Sequence, residues 1–201
     1  MRVFKFGGAS VKDAAGIKNV ASIIQQYGEK NLVVVVSATG KTTNALEVVI
    51  KDYFDNKDAK AAFDVVKQNH HQICIDLFGT DTHAVFDKLQ NIYAEVDWQL
   101  EEDRKESYNY VYDQIVSQGE LISSVILSAY LNEVGASNSW LDVRDVMKTD
   151  DTYREAVVDW TKTQSLMDSI VKPMATDSIV VTQGFIGCTP ENCTTTLGRR
   201  L

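Results

Sequence analysis

The sequence predicts an α/β fold, a mainly parallel sheet covered by helices, and three observations carry that prediction. The chain opens with a short strand pattern at Val3-Phe4-Lys5-Phe6, a helical pattern, and then the unbroken run Leu32-Val33-Val34-Val35-Val36. A second unbroken β-branched run follows at 178–182. Roughly a hundred residues of mostly helical periodicity lie between the two runs. Continuous Val and Ile runs mark strands buried on both faces, as parallel sheets require. A strand–helix–strand opening needs a right-handed crossover, which lays its helix on the sheet.

Each element has its own signal. Gly7-Gly8 ends the first strand, and Ser10 is placed to cap a helix whose stripe is Ala14, Ile17, Val20, Ala21 and Ile24. After the second strand, helices are expected over 44–53, 58–77, 83–104 and 108–117. The segment 120–134 is apolar nearly all round, which predicts a buried helix stopped by Gly135. A strand is expected at 137–141, a helix near 164–171, a buried strand at 178–182 ending at Gly184, and a last short strand at 194–197.

Composition removes several function classes. The 201 residues are 44% hydrophobic and 24% charged, with a formal net charge of −8. An acidic surface does not suit nucleic acid, which needs clustered Lys and Arg. No apolar run reaches the ~20 residues of a membrane span. The N-terminus has no apolar leader and reads as a first strand. Three cysteines, odd in number and unevenly spaced, fit a reducing cytoplasm rather than a disulfide framework.

The candidate chemistry sits in loops that follow strands. Gly7-Gly8 lets the backbone come close to a phosphate with its N–H groups aimed at it, and Lys5 adds a positive charge; a plain tight turn is the competing reading. The loop Ser37-Ala38-Thr39-Gly40-Lys41-Thr42-Thr43-Asn44 invites a P-loop reading, which fails because the position that needs the first Gly is Val35. A hydroxyl-rich loop at a helix N-terminus remains, suited to a phosphate or carboxylate or simply to capping. Glu120 opens the apolar helix either as a dipole partner or as a clamp for an ammonium group. Phe185 follows one late strand and Arg199 follows the other; a guanidinium there can grip a carboxylate. His70-His71 cannot form a metal pair, since adjacent helical residues diverge, and Cys188 and Cys193 lack a second pair of ligands. No metal-binding residue is assigned.

Six stretches together carry a resemblance: Lys5-Phe6-Gly7-Gly8-Ala9-Ser10-Val11, residues 36–44, Gln118-Gly119-Glu120-Leu121, Leu141-Asp142-Val143-Arg144, Thr182-Gln183-Gly184-Phe185-Ile186-Gly187, and Thr194-Thr195-Thr196-Leu197-Gly198-Arg199. In this order they resemble the amino-acid kinase superfamily, and within it the aspartate kinases. The shape of the 37–44 loop is similar to that of the monofunctional enzymes. The resemblance implies a three-layer α/β/α sandwich and transfer of the ATP γ-phosphoryl group to the β-carboxylate of L-aspartate, with Mg²⁺. It implies that Lys5, Gly7, Gly8 and Ser10 meet the phosphates. By the same likeness Ser37, Thr43 and Phe185 line the aspartate site, Glu120 takes the ammonium group and Arg199 takes a carboxylate.

Two departures stand out. Ala9 replaces the family's usual Thr, and Arg200-Leu201 ends the chain where the family continues with Gly-Gly-Ser-Asp. The expectation is therefore an N-terminal, substrate-binding part (1–201), truncated before the nucleotide-binding half and the regulatory ACT domains, from a homo-oligomeric parent. The alternatives are a non-catalytic fragment that at most binds aspartate, or another kinase of the superfamily.

Overall fold

The structure, a computed structural model, describes residues 1–28, 30–102 and 105–198. Its main sheet has four strands, β1 (Arg2–Phe6), β2 (Leu32–Val36), β3 (Asn138–Trp140) and β4 (Ile179–Gln183), all parallel, in the order β1-β2-β4-β3. Helix α1 (Ala14–Gln26) makes the first crossover. Between β2 and β3 come α2 (Thr42–Phe54), α3 (Ala59–Phe78), α4 (Val85–Glu101), α5 (Tyr108–Val116) and α6 (Gln118–Glu133). Helices α7 (Trp160–Leu166) and α8 (Lys172–Asp177) lead from β3 back to β4.

The crossovers divide the helices between the two faces. Moving from β1 to β2, and from β2 past β4 to β3, right-handed connections place α1 and α6 on one face, where they pack together. The step from β3 to β4 reverses direction and puts α8 on the other. This is the α/β arrangement with a parallel sheet that the sequence predicts. Helix α6 packs against β2, β3 and β4 as well as α1, α4 and α5, so it has no solvent face and its sequence shows no polar stripe.

Several expectations need correction. Ser10 does not cap α1: the chain first makes a 3-10 turn over Gly8–Val11, and the Asp13 side chain takes the cap position, accepting from the Gly16 N–H at 2.8 Å. The helix expected at 164–171 extends over Trp160–Asp177 in two α segments joined by a π-helical stretch, Met167–Val171, just before Pro173. Proline has no N–H for the turn below it, and the wider π turn sits where that bond is missing. The last strand does not extend the sheet. It is β6 (Thr194–Thr196), paired antiparallel with an unforeseen strand, β5 (Ile186–Cys188), in a separate two-stranded sheet. The two edges of the sheet are β1, where Val3 is exposed, and β3. The end of the helix expected at 83–104 falls partly outside the described residues.

One buried carboxylate ties the β5–β6 hairpin to the helices. Asp113, fully buried on α5, accepts from the Thr196 N–H (2.9 Å), the Thr196 hydroxyl (2.7 Å) and the Arg154 N–H (2.8 Å). Burial pushes its pKa above the ordinary carboxylate value, and those hydrogen bonds pull it part of the way back. Truncation to Ala would leave the buried donors unpaired, whereas Asn can accept at one atom and donate to the hydroxyl at the other.

Asp113→Ala is therefore expected to lower unfolding free energy by about 3 kcal/mol, with Asp113→Asn much milder. A raised folded pKa means stability that is full below the unfolded value and is lost as pH rises through the folded one. Denaturant titrations should show the Asn variant gaining on the parent as pH rises above about 4; a constant difference would contradict a buried charged carboxylate.

Candidate functional site

Strands β1, β2 and β4, neighbours in the sheet, all point their carboxyl ends the same way, so the loops that follow them meet. Their backbones continue hydrogen bonding beyond the sheet. The Ser37 N–H donates to the Phe6 carbonyl (3.0 Å), the Gly40 N–H to the Gly8 carbonyl (3.0 Å) and the Gly184 N–H to the Val36 carbonyl (3.4 Å). Gly8 is required here, because a Cβ would lie 2.5 Å from the Ala38 carbonyl oxygen. Gly7 differs: its backbone is extended (φ −78°) and a Cβ would touch nothing within 4 Å, so its surface is open. Lys5 sits opposite Val35 in the sheet, and its Cε lies 3.9 Å from where a Gly184 Cβ would be. Lys5, Gly7, Gly8 and Ser10 thus share one end of the sheet with the 37–43 loop.

That loop is held from below by two helices. A Cβ on Gly119 would lie 3.0 Å from the Ala38 Cβ and 3.4 Å from the Thr42 Cγ2, so the start of α6 presses directly on the loop. The Ser123 hydroxyl donates to the Ser37 carbonyl at 2.9 Å. From α3, the buried His70 holds Thr42, its Nε2 lying 3.2 Å from the Thr42 hydroxyl while Nδ1 bonds the Val66 carbonyl at 2.8 Å. Burial pushes the His70 pKa down, so the neutral ring is the form that fits. Ser37, Thr43 in the first turn of α2, and the buried Glu120 in the first turn of α6 are thereby brought to one place. The buried Thr39 hydroxyl in the same loop has no hydrogen-bond partner among the described residues, which suits it to a ligand or water.

On the far side of this loop cluster, α2, α5, the 152–155 loop and β6 border an open cavity of about 500 Å³. Phe185 lines it, with Glu47, Tyr112, Arg154 and Thr196. The Tyr112 hydroxyl donates to the Glu47 carboxylate at 2.7 Å. The Leu197 N–H donates to the Phe185 carbonyl at 2.8 Å, which brings the end of β6 beside the residue that follows β4. Gly198 adjoins the 154–155 loop, and Arg199 lies outside the described residues.

The structure adds residues that sequence reading passed over. Asp113 and His70 touch no expected ligand position, yet each anchors one wall. A charged residue on the buried stripe of α5, beside Val111, Tyr112, Ile115 and Val116, is the signal that could have marked Asp113. Gln183, at the end of β4, donates to the Ser124 hydroxyl (2.7 Å) and accepts from the Val143 N–H (2.7 Å), joining β4, α6 and the 3-10 turn after β3 beneath the site. Among the described residues no group of three His, Cys, Asp or Glu side chains could hold a metal ion.

The two adjacent glycines should respond oppositely to substitution. Gly8→Ala is expected to cost about 2 kcal/mol or more in thermal or chemical unfolding, because its Cβ meets backbone rather than a flexible side chain. Gly7→Ala should leave stability within about 0.5 kcal/mol. Equal effects at the two positions would mean that the loops are not packed as described.

Comparison with known proteins gives the same picture. Residues 1–199 match the amino acid kinase family. The bifunctional aspartokinase/homoserine dehydrogenase of Daucus carota is 30% identical over 98% of this chain, which spans 22% of that protein. The lysine-sensitive aspartokinase 3 of Escherichia coli K12 is 29% identical, again over 98% of this chain and 43% of its own length. Relatives of both the fused and the monofunctional architecture match at similar identity. Among solved structures, that of E. coli aspartokinase III in complex with aspartate and ADP superposes with a TM-score of 0.84 at 28% identity, covering 98% of this chain and 43% of that one. The chain thus spans less than half the length of these relatives, and it belongs to the amino acid kinase family.

Proposed function

We propose that this chain is the amino-acid-binding part of an aspartate kinase domain, serving transfer of the ATP γ-phosphoryl group to the β-carboxylate of L-aspartate. The observation that carries this reading is the meeting of an open glycine loop beside Lys5 with the buried Glu120 carboxylate, across a single loop rich in hydroxyls. The relatives' names and the aspartate and ADP in the E. coli structure support it.

The chemistry follows from charge. The acceptor carboxylate is already an anion, so no general base is needed, and catalysis reduces to positioning and charge neutralisation. Lys5 opposes the charge of the transferring phosphoryl group, while the N–H groups of Gly7 and Gly8 face the phosphates and Ser10, whose own N–H is taken by the Gly7 carbonyl at 2.9 Å, offers its hydroxyl. Ser37 and Thr43 orient the acceptor, Glu120 holds its ammonium group, Phe185 walls the site and Arg199 grips a carboxylate. The described residues offer no acidic cluster for Mg²⁺, so no step is assigned to the metal here. We place the nucleotide-holding half and the regulatory ACT domains in the remaining length that the relatives have, and the parent as a homo-oligomer. No helix among the described residues is long and apolar enough to cross a membrane; with three free cysteines, this supports a cytoplasmic setting.

Isothermal titration of the 201-residue chain with L-aspartate is the direct test. Glu120→Gln should weaken aspartate binding at least about tenfold without lowering the melting temperature, since charge is removed and shape kept. Unchanged binding with a lower melting temperature would instead make Glu120 a helix-dipole partner. A coupled assay should detect no ADP release from this chain alone, because in-line transfer needs both substrates held. Aspartate-dependent ADP release that disappears in Lys5→Ala would show a complete kinase and overturn this division of labour.

A further inference from the structure

The cavity beside the loop cluster holds a cation that neither the motifs nor the family likeness assigns. Arg154 lines it together with Phe185 and Thr196. Its guanidinium lies over the Tyr112 ring, 4.4 Å from the centroid, with Tyr108 at 5.7 Å on the same aromatic wall. Tyr112 is itself buried, so it is a fixed platform rather than a mobile partner. A guanidinium carries five N–H donors. Within the described residues, one long contact, 3.4 Å to the Asn109 side-chain oxygen, is the hydrogen bond this guanidinium makes. Arg154 is exposed, and its planar fork lies over the ring with most of its donors without a hydrogen bond to the described residues.

The backbone makes this placement costly. Arg154 has φ +72° and Phe185 has φ +70°, a region that non-glycine residues seldom occupy. Both line the same cavity. Neither is left to relax: the Arg154 N–H is held by the buried Asp113 carboxylate, and the Phe185 carbonyl by the Leu197 N–H. The Arg154 carbonyl also lies 3.2 Å from where a Gly198 Cβ would be, so the chain leading to residue 199 packs against it. Unfavourable backbone conformations that the surroundings enforce collect at ligand sites. Here two of them aim side chains into one space of about 500 Å³, within the range of small-molecule pockets.

We infer that Arg154 is a carboxylate-binding, specificity-determining residue of this cavity, taking the non-reacting carboxylate of the amino-acid acceptor through its Tyr112-backed fork. The inference rests on reading this cavity as the amino-acid end of the proposed kinase site. Arg154 lies on the α5 and β6 side, whereas Lys5, Gly7 and Gly8 lie at the ends of β1 and β2. The carboxylate that it meets is thus the one away from the phosphates. The neighbouring Glu47 and Glu155 disfavour an anion without a compensating positive charge, which suits a zwitterionic amino acid better than a bare dicarboxylate.

The test pairs binding with stability in the 201-residue chain. Arg154→Gly removes the guanidinium and supplies the one residue that adopts φ +72° without strain. It is expected to weaken L-aspartate binding at least about tenfold while leaving the melting temperature unchanged or higher. Arg154→Lys, which keeps the charge and loses the fork, should bind between the two. In ¹⁵N-arginine-labelled protein, the Nε–H signal absent from Arg154→Gly should shift saturably on titration with L-aspartate, and more weakly with succinate. Aspartate affinity unchanged in Arg154→Gly, or a melting temperature that falls in step with affinity, would overturn the inference. So would an arginine signal that no carboxylate moves, even if amide shifts at Ser37 and Glu120 upheld the aspartate reading. A signal moved by succinate but not by L-aspartate would overturn it as well, since the carboxylate assigned to Arg154 is that of the amino acid.

Discussion

Backbone hydrogen bonding that outlasts the sheet is the constraint on which the rest of this molecule depends. The parallel ladder of β1, β2 and β4 does not stop at the strand ends: Ser37 to Phe6, Gly40 to Gly8 and Gly184 to Val36 carry it into three loops. Loops built this way cannot be moved one at a time. The approach leaves no room for a Cβ at Gly8, and the same absence of side chain exposes the backbone at Gly7. A rigid, donor-rich surface at the carboxyl ends of parallel strands is the general solution of α/β folds to binding anions.

Polar groups buried in the helices extend that order outward. His70 fixes Thr42 from α3, Ser123 fixes Ser37 from α6, and Gln183 joins β4, α6 and the turn after β3. Asp113 does the equivalent for the β5–β6 hairpin and the 152–155 loop. None of these groups faces the solvent, and each removes a degree of freedom from a wall of the cavity. Buried polar groups of this kind are costly when half satisfied, so their pairing makes the arrangement of the walls close to all-or-none. The positive-φ conformations of Arg154 and Phe185 persist because such tethers outweigh them.

Much of the fold was legible in the residues themselves. The burial of β2 and β4 follows from continuous β-branched runs, and the enclosure of α6 follows from a helix without a polar side. In β2 the run begins at Leu32 and continues through four valines, each with a neighbouring strand on either side. The glycine pair after β1 and the hydroxyl loop after β2 were also recognisable, because a strand followed by Gly or by Ser and Thr has few other uses. Ser10 is not the cap it resembles, because capping signals locate a helix start only to within a few residues and Asp13 offers the better geometry.

The sequence by itself determined the order of the main-sheet strands and the helices between them, the parallel core strands and the residue types available to the site, since these depend on periodicity and local chemistry. Tertiary structure alone decided which of those residues meet. Sequence spacing carries no information on contacts such as Asp113 with Thr196, 83 positions apart, or His70 with Thr42. The strand β5 was invisible because a three-residue strand containing a glycine has too short a pattern to read, and it forms only through its pairing with β6. The backbone conformation of Arg154 was invisible for the same reason: no local preference favours it, and the Asp113 carboxylate that enforces it comes from another helix.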